Sequence, residues 1–237
     1  TEIDARRARV VLVVGVEKMT ETPGEQIGGI LMKASHVKEE DRDGMSFAGV
    51  FGQIAQPYFQ RYGDQSDAMA RIAAKNHRNG VDNPFAQLRK DLGYEFCRTV
   101  SDKNPLVAGP LRRTDCSLVS DGAAALVLAD VETALTLKKA VAFRARAQVN
   151  DYLPMSRRDI VAFEGCARAW QQAHADAKTS VADLRLVETH DCFTIAELME
   201  YEAMGLARPG EGGRIALEGV TEEQQLALGV GGGALRA

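Results

Sequence analysis

The chain has 237 residues with 29 basic and 33 acidic side chains, a formal net charge of −4, and 45 % hydrophobic residues. These are the proportions of a globular chain long enough to bury a core, and they exclude a disordered tail, a collagen or a coiled coil. With no block of Lys or Arg and no apolar run near the ~18 residues of a membrane span, neither nucleic acid nor membrane is an expected partner.

Residues 10–16 read Val10-Val11-Leu12-Val13-Val14-Gly15-Val16. Such a run predicts a strand buried on both faces, as in a parallel sheet. From 20 to 110 no valine-rich strand follows. This stretch reads as a long excursion of helix and loop, expected to stand as a separate lobe that covers a site or meets a second copy of the chain. Within it Ala68, Met69, Ile72 and Ala73 recur at helical spacing between Ser66 and His77, and Gly80 marks a stop. The sheet resumes at residues 121–129. Val141, Phe143, Ala145, Ala147 and Val149 then alternate with Arg144, Arg146 and Gln148, which predicts a half-buried strand. Residues 159–175 read as a helix with Ile160, Phe163, Ala167 and Trp170 on one face. Residues 184–188 form a further strand that runs through Thr189-His190-Asp191-Cys192-Phe193 into a helix. Thr194-x-x-Glu197 has the spacing of a capping box there, and Gly205 that of a C-cap. Alternating strand and helix place the chain in the α/β class.

The strand-to-helix junction at His190 and Cys192 is the best candidate for chemistry. Ligands of open α/β sheets bind beyond the carboxyl ends of strands, where helix N-termini point their N–H groups. An imidazole there suits acid/base work or donation to an oxyanion, and a thiol beside an N-cap is favoured as thiolate. The bland alternative is a histidine bonded to a loop carbonyl and a cysteine acting as a small core hydrophobe. Cys97, Cys116, Cys166 and Cys192 fall at irregular spacings without a C-x-x-C. Neither a disulfide framework nor a metal site is expected, and the usage fits a reducing cytoplasm. His36 and His77 read as surface or loop residues, and His174 as a late-helix cation. Arg112-Arg113, and Arg6-Arg7 with Arg9, read as solvated faces. Gly229, Gly231 and Ala234 have the G-x-G-x-x-A spacing but no helix or acidic residue after them, so no nucleotide site is expected.

Four segments together resemble the thiolase superfamily, and most closely its sterol-carrier-protein-2-type members. They are residues 10–20, Asp121-Gly122-Ala123-Ala124-Ala125, Val149-Asn150-Asp151, and the run from Glu188 to Glu197. The His190-Asp191-Cys192-Phe193 tetrad is the most specific of them. The resemblance implies a layered α-β-α architecture, present in part, with an inserted, mostly helical loop domain. On that basis residues 1–19 and 111–135 belong to the N-terminal half, 20–110 form the loop domain, and 136–237 belong to the C-terminal half. It also implies an acyltransferase that makes or cleaves a carbon–carbon bond at a coenzyme A thioester, with coenzyme A as substrate and no resident cofactor. His190 matches the residue that holds the oxyanion-site water, and Cys192 lies beside the acid/base position. Cys116 and Ser117 match the contact with the pantetheine arm, and Met19 falls on the substrate side.

The family's nucleophilic Cys belongs ahead of the strand at Val10, and its Gly-His-Pro belongs after an Asn-x-x-Gly-Gly segment. Residues 226–237 carry the glycines without the Asn. The resemblance therefore implies no thiolytic turnover by these 237 residues alone. It also implies a homodimer or larger homo-oligomer. Two alternatives keep the fold: a non-catalytic subunit that binds acyl-CoA or stabilises a partner, and an aldolase acting on CoA-linked side chains with a small partner protein.

Overall fold

A computed structural model describes residues 1–41, 45–218 and 227–228. In chain order the elements are β1 (Val10–Glu17), α1 (Gly24–Leu31), α2 (Val37–Glu40), α3 (Phe47–Tyr62), α4 (Ser66–Gly80), α5 (Gly93–Arg98), β2 (Leu106–Ala108) and β3 (Leu111–Arg112). They continue with β4 (Gly122–Ala129), α6 (Val131–Ala134), α7 (Glu164–Ala177), β5 (Leu186–Val187), α8 (Thr194–Ala203), α9 (Gly212–Glu218) and β6 (Ala227–Leu228). Helix and strand are mixed as expected for a partial α/β fold. Two compact units result, Thr1–Pro23 with Val119–Arg144, and Gly24–Leu118 with Ala145–Ala237. No helix among the described residues is long and apolar enough to cross a membrane.

In the first unit β1 pairs with β4 along its whole length, from Val10 opposite Ala129 to Glu17 opposite Gly122. The pairing is antiparallel, which corrects the parallel reading, and most of the valines are exposed rather than buried. The run is apolar on both faces, but among the described residues β4 is the only strand paired with β1. Asp121 closes one end of the ribbon. Its carboxylate accepts from the N–H groups of Met19 (2.8 Å) and Thr20 (3.0 Å) and from the Thr20 hydroxyl (2.6 Å). These bonds, the hydroxyl's foremost, hold the Asp121 carboxyl below its ordinary range. At the other end Arg9 meets Asp130 (2.9 Å) and Glu132 (3.0 Å). Asp130 also caps α6 and is pulled down to about 2 by Thr133 and then by Arg9.

The expected strand at 141–149 does not form. Val141 and Phe143 are 96 % and 70 % exposed. A period-two pattern needs a neighbouring strand to become a ladder, and among the described residues none pairs with it.

In the second unit α4 begins at Ser66 and ends at Gly80, as its spacing predicts, and buries Ala68, Met69, Ile72 and Ala73. These side chains do not form a separate lobe. Ala68, Met69 and Ile72 share one core with Ala55 and Tyr58 of α3, Leu111, Val187, Phe193, and Ile195, Leu198 and Met199 of α8. The helix predicted at 159–175 starts later, at Glu164. Asp159 accepts from the N–H of Val161 (3.1 Å) and holds the first residues in a turn.

Candidate active site

The short strand β5 pairs in parallel with β6 and delivers the chain into residues 189–193, just ahead of α8. Burial alternates along the tetrad. His190 is exposed, Asp191 buried, Cys192 half-buried and Phe193 buried. Cys192 stands at a bend and packs against the apolar core, so of the two candidates His190 is the one exposed to solvent.

Phe193 is one anchor. Its ring stacks on Phe51 with centroids 4.0 Å apart and tilts against Phe47 at 6.2 Å, both from α3. Aromatic pairs at such separations contribute beyond their buried area. The second anchor is Asp191, whose carboxylate accepts from the Asn76 amide of α4.

A third tie comes from the loop after β3. Cys116 forms an isolated antiparallel bridge with Phe193, and the Ser117 N–H donates to the Cys192 carbonyl at 2.9 Å. This pairing is secured from beneath by Asp115, which is fully buried. Its carboxylate accepts from the backbone N–H and Nε of Arg112, each at 2.8 Å, and from the Thr194 hydroxyl at 2.8 Å. The Arg112 guanidinium goes on to the carbonyls of Arg98 (3.0 Å) and Ser66 (2.9 Å). Arg112 is therefore a buried strut, not part of a solvated basic face. The reading of Thr194-x-x-Glu197 as a capping box is corrected as well. Thr194 bonds Asp115, Glu197 bonds side chains of α4 and α8, and Phe193 at the N-cap makes no side-chain cap bond.

Below the tetrad lies a polar cluster between α4 and α8. Glu197 accepts from Lys75, from the Tyr201 hydroxyl and from Asn76, the last at 2.9 Å. Burial opposes ionisation of Glu197, but the Lys75 ammonium, helped by Tyr201 and Asn76, keeps its carboxyl below the ordinary range. Glu200 is driven the other way, up to about 8, by burial first and then by the charges of Glu197 and Asp191. The Tyr201 hydroxyl is likewise pushed far up by burial and by Glu197. The cluster thus holds a fixed charge at Glu197 beside a carboxyl that stays protonated near neutral pH.

Cys116 and Ser117 pair with Phe193 and Cys192 at the N-terminus of α8, and His190 precedes Cys192 by two residues. Met19 lies in the first unit, half-buried, with its N–H on Asp121. Cys97 is buried on α5, and Cys166 on α7 is pushed up to about 11 by burial, so Cys166 is not a thiolate near neutral pH. His77 is buried on α4, correcting its reading as a surface residue. A cavity of about 330 Å3 in this unit is lined by Glu39, Gln53, Met155, Arg158 and neighbours, without any residue of the junction. The glycine-rich 229–234 lies outside the described residues. Asn76, Lys75 and Asp115 escape a reading by motif. One signal was available, because Asn76 follows Met69 and Ile72 on the apolar face of α4, where a polar residue needs a partner.

Comparison with known proteins shows the family. The thiolase N-terminal domain family model matches residues 1–93, and the thiolase C-terminal domain-like model matches residues 147–237. The chain is 33 % identical to an acetyl-CoA acetyltransferase of Methanothermobacter thermautotrophicus, over 90 % of its own length and 54 % of the relative's. It is 30 % identical to sterol carrier protein 2 of Bos taurus, over 90 % of its length and 41 % of that protein. Among solved structures the Ltp2–ChsH2(DUF35) aldolase is similar in fold, with a TM-score of 0.79 and 22 % identity over 99 % of this chain and 62 % of that one. The chain spans about half the length of the curated relatives it matches. It belongs to the thiolase superfamily, with relatives of the sterol-carrier-protein-2 type.

Proposed function

We propose that this chain carries part of the site of a thiolase-type acyltransferase acting on acyl-CoA and 3-ketoacyl-CoA thioesters. The observation that supports it is the junction itself. His190, exposed, and Cys192, half-buried against the apolar core, flank Asp191 in a segment anchored through Asp191 and Phe193, at a helix N-terminus. In this reading His190 donates towards the thioester oxygen or its water, where negative charge develops, and Cys192 exchanges a proton at the reacting carbon. Cys116 and Ser117 lie along the pantetheine arm. Coenzyme A is the substrate, no resident cofactor is called for, and the working assembly is a homo-oligomer.

Titration of the chain with acetoacetyl-CoA tests this reading. Saturable binding is expected below about 1 mM, the upper end of ordinary KM values, and His190→Ala and Cys192→Ala are expected to weaken it. No binding up to that concentration would overturn the reading. A second reading, as an aldolase with a small partner protein, is favoured by one observation, the likeness over 99 % of this chain to the Ltp2–ChsH2(DUF35) aldolase. Release of an aldehyde or ketone from a 3-hydroxyacyl-CoA, without thiolysis of 3-ketoacyl-CoA, would decide for it.

A further inference from the structure

Beneath His190 and Cys192 lies a set of buried polar groups that their chemistry does not use. Asn76, on the third turn of α4, is fully buried, and its amide nitrogen donates both to Asp191 and to Glu197. We propose that Asn76 is a positioning residue: by clamping Asp191 it fixes which way His190 and Cys192 face. The proposal rests on the reading of those two residues as the reactive pair.

The chemistry of the contact calls for a primary amide. Two carboxylates converge from the tetrad and from the first turn of α8, and one neutral –NH2 offers each of them a donor. A carboxylate at position 76 would add a third acceptor and a like charge. Lys75, the adjacent cation, goes to Glu197 and to the Tyr201 hydroxyl at 3.2 Å. Lys75 therefore balances the α8 carboxylate, and Asn76 links α4 to the tetrad. Asp191 lies between His190 and Cys192, so pinning its carboxylate to α4 restricts the backbone that carries both neighbours. The residue positions are 115 apart in sequence, so the excursion between the two sheet segments supports the junction as well as packing on it. Groups held in this way by a supporting shell keep the geometry that a reactive pair requires.

The test reads Cys192 directly. Each cysteine's alkylation by iodoacetamide is followed by peptide mapping from about pH 6 to 10, and the plateau rate of the ionised thiol is separated from its midpoint. Asn76→Ala is expected to change the Cys192 plateau rate by at least about threefold, the scale of coupling between residues in contact. Cys97, buried in the same unit, should stay protected. Asp191→Asn should change the plateau likewise. An unchanged Cys192 plateau with Cys97 protected would overturn the proposal. Should Asn76→Ala expose Cys97 too, Asp191→Asn decides by the same criterion, since it keeps the side-chain volume and adds no charge. Alkylation involves no thioester, so failure here leaves thioester binding standing, and the converse also holds.

Discussion

The Thr194 hydroxyl donates to Asp115 across 2.8 Å at a place where both residues are fully buried. A hydrogen bond to a buried carboxylate contributes more than one between neutral groups. Thr194→Val keeps the shape and removes the donor, so it should cost about 1.5–3 kcal/mol in urea unfolding. It should also loosen the bridge that holds Cys116 and Ser117 on the tetrad. A cost within experimental error would show that Arg112 alone satisfies Asp115. Glu200 makes a different prediction. Burial, then the charges of Glu197 and Asp191, raise its carboxyl to about 8, whereas an unfolded chain ionises it near the ordinary value of 4.5. Between those values the folded chain binds the extra proton, so this group's contribution falls as pH rises. It is fully present below about 4.5 and lost as pH passes about 8. Glu200→Gln cannot ionise, and its melting temperature should exceed the parent's above pH 8 and converge with it towards pH 5. The gap should be about 2–4 °C for each kcal/mol regained. A gap that does not change with pH would contradict the assignment.

At the scale of elements, Gly205 ends α8 in the left-handed region, with φ of +88°. Its N–H goes to the Glu202 carbonyl at 3.0 Å, and that of Leu206 to Tyr201 at 2.9 Å, closing the last turn. A Cβ at Gly205 would meet nothing within 4 Å. Gly205→Ala should therefore cost about 1–2 kcal/mol through backbone strain alone, read as a lower urea midpoint with unchanged slope. No loss would mean that the turn relaxes to negative φ. This stop was legible in the sequence, as was α4, because both depend on residues within a few positions of one another. The junction was legible too, since a strand, a turn and a helix start follow in order through His190 and Cys192. What was not legible depends on contacts across the fold. Thr194 and Glu197 have local capping spacing, yet a distant carboxylate and a distant ammonium take them. The alternation at 141–149 is that of a strand, yet a strand needs a neighbour. Nothing near Asp191 in sequence announces Asn76.

At the scale of the whole molecule, the two units are held by different forces. The second closes over a shared apolar core to which α3 gives Tyr58, α4 gives Met69 and Ile72, and α8 gives Leu198 and Tyr201. The first is a two-stranded ladder held by its backbone bonds, by Asp121 at one end and by Arg9 at the other. A two-stranded ribbon is marginally stable in water, and among the described residues this one leaves Leu12 at 62 % and Val16 at 74 % exposure. Ladder amides without a packed face open through low-energy local fluctuations, whereas core helices open with global unfolding. Amides of β1 and β4 should therefore exchange with deuterium well before those of α4 and α8. Contiguous exposed valine and leucine should also bind an apolar dye in the folded state. Replacing Leu12, Val14 and Val127 together by threonine retains strand preference while removing apolar surface. Dye binding should then fall, and the unfolding of the second unit should move by no more than about 0.5 kcal/mol, as for other exposed positions. Protection of β1 amides equal to that of α8, at protein concentrations where the chain is monodisperse, would contradict this account, because an uncovered ribbon has no means of resisting exchange to that extent.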